Sequence, residues 1–211
     1  MEEFIDFMYG SLGYADRMMS AIDGVAILFE LNKDKNLIND SKVCLTLDDF
    51  LPWGFKIFSD FEEMYIELIE PSKLKGIEAI AGETLPVRIQ KKLTSLSTLY
   101  ESFYELFSQN NISTRASRYR KVADDIEKVD LDIFKKILIV GFFALTQSER
   151  KIFEQLGKKN NTSFVFQKGP GIESLISRLH VDVEEKGAEM KGAEVNFYKA
   201  MDVHGEIFAL N

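Results

Sequence analysis

Apolar side chains recur at helical intervals through the first 129 residues, and after that the rhythm changes to alternating strand and helix. Phe4, Ile5, Met8, Leu12, Met18, Met19 and Ile22 have helical spacing, with a break expected at Gly10 or Gly13. Asp23-Gly24 reads as a turn, and residues 25–31 as either more helix or a strand. Thr46 and Asp49 have the spacing of a capping box. They predict a long helix over 50–69, with Pro52 in its first turn and a core-facing stripe of Phe50, Trp53, Ile57, Phe61, Met64 and Leu68. Pro86 opens the strongest helical pattern, carried by Ile89, Leu93, Leu96, Tyr100, Phe103 and Phe107, and Asn110-Asn111 closes it. A shorter helix is expected over 116–129. The chain thus divides into an N-terminal helical or linking segment, 1–45, and a helical arm, 46–129.

From residue 130 the pattern predicts a strand over 136–140, a helix over 146–156 and a second strand over 163–166. Loop and helix follow over 169–179, then a charged, glycine-containing excursion over 182–192. A strand over 194–198 and a helix from His204 complete the reading. Strand–helix–strand order implies parallel pairing. The expected fold class is therefore α/β: an incomplete parallel, motor-like layer in 130–211, with a large all-helical insertion before it. An α/β layer with so few strands cannot cover both faces of its sheet well, so the chain is expected to be a piece of something larger.

The 211 residues carry a formal net charge of -8 and a sequence pI near 5.0. That balance argues against strong autonomous nucleic-acid binding but leaves room for a local basic patch. A single cysteine, Cys44, permits no internal disulfide, and with two histidines the chain offers no zinc set. No apolar run reaches membrane-spanning length and the start lacks a basic leader, so a reducing, cytoplasmic setting with no membrane is expected.

Chemistry-bearing motifs are few. GPGIES (Gly169 to Ser174) follows a strand and precedes a helix, but it lacks the lysine of a phosphate-binding loop and reads as a turn. A nucleotide-hydrolysing fold would carry magnesium-binding carboxylates just after the 136–140 strand, where this chain has Gly141 and Phe142. Thr146 and Glu149 read as a capping box, not as a catalytic pair. Asp60, Glu62 and Glu63 read as solvated charges on the polar side of a helix. No nucleophile triad, cofactor motif or metal set is evident, so no catalytic residue, cofactor or metal is expected. The exception is ISTRASRYRK (Ile112 to Lys121), where Arg115, Arg118, Arg120 and Lys121 surround Tyr119 without a carboxylate among them. Such a set suits phosphate contacts with a ring for a base to stack on; the plainer reading is a solvated helix start neutralised by Asp124, Asp125 and Glu127.

Four stretches, in order, resemble AddB-type subunits of the AddAB/RecBCD class of bacterial helicase–exonucleases. They are LPWGFKIFSDFEEMYIEL, with Trp53-Gly54 and Asp60-Phe61-Glu62-Glu63-Met64; LSTLYESFYELFSQNNISTRASRYRKVAD; ILIVGFFALTQSERKIFEQL, similar to a degenerate Walker B strand at Gly141, Phe142, Thr146 and Glu149; and VNFYKAMDVHGEIFAL. The family often has an aspartate near Tyr65, where this chain departs from it. The resemblance implies an internal, superfamily 1 helicase-like segment of a longer subunit that acts in double-strand-break end processing and recombinational repair. The segment itself lacks the phosphate loop and nuclease motifs, so it would hold DNA and scaffold without catalysis. DNA, met through the parent protein, and an AddA-like helicase–nuclease subunit are the implied partners. The alternative is a free-standing protein–protein interaction module with no nucleic-acid role, anchored by Phe103, Tyr104 and Phe107.

Overall fold

Capping sets where most of the helices begin. In a computed structural model describing residues 1–35, 46–74, 87–179, 181 and 183, α1 (Glu2–Ser11) is followed by β1 (Arg17–Met18) and α2 (Ala21–Lys35). Gly13, at φ +84°, turns the chain after α1. Asp23-Gly24 is not a turn: Asp23 accepts hydrogen bonds from Ser20 N–H and Oγ, and Ser20 Oγ accepts from Asp23 N–H, which together start α2. Next come α3 (Leu47–Ile66), α4 (Val87–Asn110), β2 (Ile112–Ser113) and α5 (Arg115–Asp125), which runs into a 3-10 turn at Ile126–Lys128. The expected Thr46–Asp49 capping box forms, but it starts α3 three residues before Phe50. Pro52 therefore falls in the second turn, where its missing N–H leaves one helical hydrogen bond unmade. The helix ends where Leu68 turns left-handed, at φ +56°, and Ile69 N–H donates back to the Met64 carbonyl.

β3 (Ile137–Val140), α6 (Gln147–Gly157), β4 (Thr162–Val165) and α7 (Ile172–Leu179) follow the predicted strand–helix–strand–helix order. β3 and β4 pair in parallel, Ile137 opposite Thr162 and Val140 opposite Val165. The expected motor-like α/β layer is nevertheless not what the described residues build. The described residues are mostly helical, with two separate two-stranded parallel ladders, β3–β4 and the unforeseen β1–β2. One helical layer packs on β3–β4 and no third strand joins it among the described residues. The strand expected over 194–198, the helix from His204 and the excursion at 182–192 lie outside the described structure, apart from Val183.

Met1–Val181 groups as one unit with two hydrophobic clusters. The first joins α1, α5 and the β3–α6–β4–α7 region through Ile5, Met8, Tyr119, Ile139, Ile152 and Phe153, and so spans the boundary expected at residue 130. The second holds α2, α3 and α4 together through Val25, Leu28, Phe50, Phe61, Tyr100 and Phe103. Here a ladder of rings does the packing: Phe61 edge-on to Tyr100 at 5.1 Å, and Tyr65 stacked on Tyr104 at 3.5 Å. Phe103, Tyr104 and Phe107 are core, so they cannot be surface anchors.

Two glycines let α2 and α3 approach. A Cβ at Gly54 would stand 2.4 Å from Val25 Cγ1, and one at Gly24 would stand 2.4 Å from the Phe58 ring. Gly54 therefore faces the partner helix, and Trp53, about 100° around α3, is 70% exposed and not in the core stripe. Gly54→Ala is expected to destabilise by about 1–3 kcal/mol despite alanine's better helix propensity, because Val25 is fully buried and cannot retreat. Urea denaturation measures it; a gain in stability would mean the helices can part at little cost.

Candidate functional site

The basic set on α5 is built from the helix start upward. Thr114 caps α5: its Oγ1 accepts from Ser117 N–H at 3.2 Å, and Ser117 Oγ accepts from Thr114 N–H at 2.8 Å. The helical period then places Arg115, Arg118 and Lys121 along one side, facing α1 and the segment leading into β1. Arg115 Nε meets Glu2 at 2.7 Å, with both side chains more than half exposed. Arg118 is three-way bound: Nη1 to the Asp6 carboxylate at 2.7 Å, Nη2 to the Asp16 carbonyl at 3.0 Å, and Nε to Ser113 Oγ at 2.9 Å. Lys121 Nζ donates to Asp16 at 3.0 Å and stands 4.7 Å from the centre of the Tyr14 ring. Arg120, on another side of the helix, pairs with Glu70 and lies 4.4 Å over the Tyr65 ring. Only 13% of its side chain is exposed.

Every cation of the set thus has an internal carboxylate partner, and none of those partners is the nearby acidic run. Asp124 binds Lys151 at 2.7 Å, and Asp125 takes Tyr14 Oη at 2.9 Å and Lys128. Tyr119 is 2% exposed, under the Arg115 guanidinium at 4.9 Å, so no base can stack on it. Electrostatics follow the packing. Burial pushes Asp16 up, but hydrogen bonds from Tyr9 and Lys121 outweigh it and hold the carboxyl below the usual aspartate range. Burial, and then the Asp16 carboxylate, raise Tyr9 far above its ordinary value.

Sequence reasoning missed Glu62. Its carboxylate accepts from Tyr104 Oη at 2.8 Å, Thr114 Oγ1 at 2.6 Å and Ala116 N–H at 3.0 Å. One side chain of α3 therefore ties α4 to the N-terminus of α5, where the helix dipole favours a negative charge. The S-T-x-x-S cap at Ser113–Ser117 shows that a helix starts there, but no local pattern points to an acid fifty residues away. Its neighbours behave as expected: Asp60 pairs with Lys56 at 2.6 Å and Glu63 is exposed.

The turn after β3 is packed and capped. Gly141, at φ +80°, donates its N–H to the Val165 carbonyl at 3.3 Å. The Phe142 ring stands edge-on to Phe153 at 5.0 Å. Thr146 caps α6, with Glu149 accepting from its N–H at 3.0 Å and its Oγ1 at 2.9 Å. GPGIES behaves as a turn, Gly171 at φ +86° leading into α7. Among the described residues no three His, Cys, Asp or Glu side chains are placed to hold a metal ion, and no helix is long and apolar enough to cross a membrane.

Against models of known protein families the chain matches none, and no curated protein sequence matches it significantly.

Proposed function

We propose that the chain is a non-catalytic segment of a cytoplasmic bacterial helicase–exonuclease subunit that acts on broken DNA ends, where it scaffolds and contributes to DNA holding, with an AddA-like subunit as partner. The reading rests on the resemblance to AddB-type subunits. The observation that supports its non-catalytic character is the turn at 141–149: Phe142 packs on Phe153 and Glu149 is consumed as a helix cap. Of the basic set, Arg115 suits a phosphate best. An exposed ion pair like Arg115–Glu2 is worth about 0–1 kcal/mol and can exchange its carboxylate for a phosphate. Arg118 and Arg120 are held too firmly to do so.

Titration of a labelled blunt-ended duplex at low salt tests this, with ATP turnover followed in parallel. The expected result is weak binding that fades as salt rises, and no turnover. Turnover would overturn the non-catalytic assignment. Failure of the folded chain to bind DNA would favour the second reading, an interaction module. One observation already favours that alternative: Leu138, Val140, Phe143 and Val165 are each about half exposed on or beside the β3–β4 pair.

A further inference from the structure

Among the described residues, β3 is paired on one side only. Ile137 N–H donates to Asn161 and Gly141 N–H to Val165, both on the β4 side. By strand alternation the N–H and C=O groups of Leu138 and Val140 point to the other edge, where no strand pairs among the described residues. A groove of about 520 Å³ runs along that edge, lined by residues Lys136 to Val140 on one side and by Phe4, Phe134 and Phe142 on the other. Its floor is thus a row of backbone groups that no strand among the described residues pairs with, and its lining is largely apolar. That combination fits an extended peptide and not a phosphate backbone.

Charge says which peptide. At the end where β3 begins, Lys135, Lys158 and Lys159 line a second groove, of about 490 Å³, with Asp132 as its one carboxylate. Lys136 lines the first groove. All four lysines are exposed, and among the described residues none is in an ion pair. In a chain of net charge -8 whose α5 cations are all paired, this is a concentration of uncompensated positive charge. We infer that the outer edge of β3 receives an added strand from a protein partner: an extended apolar peptide whose acidic end meets Lys135 and Lys136. The inference stands independently of the helicase resemblance.

The test uses the full isotope-labelled chain and a synthetic peptide of two aspartates followed by alternating valine and threonine. Amide exchange is read at Leu138, Ile139 and Val140 as the peptide is added. Saturable binding is expected to slow exchange at Leu138 and Val140, while Ile139, already in the ladder, changes little. Leu138→Pro removes an outward N–H and spares the ladder to β4, and should weaken binding by about tenfold or more. If that variant fails to fold, the surface pair Lys135→Glu with Lys136→Glu should weaken binding by about threefold or more. No saturable binding, binding without protection of Leu138 and Val140, displacement of the peptide by duplex DNA, or dimerisation through the same amides would each overturn the inference.

Discussion

Glu62→Ala is expected to destabilise the chain by about 3–5 kcal/mol. The size follows from what the carboxylate holds. Tyr104 Oη and Thr114 Oγ1 belong to residues 9% and 1% exposed, and among the described residues Glu62 is the acceptor that both hydroxyls use. Ala116 N–H, in the first turn of α5, loses a charged acceptor as well. Burial already pushes the Tyr104 hydroxyl far above its ordinary pKa, so ionisation offers it no relief. Glu62→Gln keeps a carbonyl acceptor but turns an amide toward donors, and should cost about half as much. Guanidinium denaturation of both variants checks the order. A loss below about 1 kcal/mol for Glu62→Ala would mean that water replaces the carboxylate easily.

Arg120→Glu is expected to be as damaging, at about 3–5 kcal/mol. The guanidinium is largely buried, stacked on Tyr65 and paired with Glu70. Reversal would put a largely buried carboxylate against the ring face of Tyr65, whose surroundings already hold Glu70, Glu62 and Asp124. Arg115→Glu, by contrast, should cost no more than about 1 kcal/mol, because both partners of that pair are solvated. Thermal melts separate the two variants directly; equal melting temperatures would contradict the burial of Arg120. The contrast governs how DNA binding can be probed. Binding lost with Arg120→Glu would report lost folding, whereas binding lost with Arg115→Glu would report a lost phosphate contact.

Local signals in the sequence were reliable where the structure is local. The Thr46 and Thr146 capping boxes, the left-handed Asn111 that closes α4 and the parallel strand–helix–strand order all follow from spacing and residue type. What failed depended on partners distant in the chain. The α5 cations read as a free patch flanked by its own acids, yet their carboxylates come from Glu2, Asp6, Asp16 and Glu70. Trp53 read as core because apolar periodicity cannot register that Gly54, with no side chain, marks the contact face. The motor-like layer was read from strand order, and order does not reveal that α1 and α5 share one core with β3 and α6. The β1–β2 pair escaped notice because two-residue strands leave no periodic trace.

The most direct test of the DNA-holding role compares wild-type chain and Arg115→Glu by fluorescence anisotropy with a labelled blunt-ended duplex at low salt. The predicted result is measurable wild-type binding, several-fold weaker binding by Arg115→Glu, and an almost unchanged melting temperature for the variant. Wild-type chain that is folded and yet does not bind, or equal affinity for the two proteins, would contradict it.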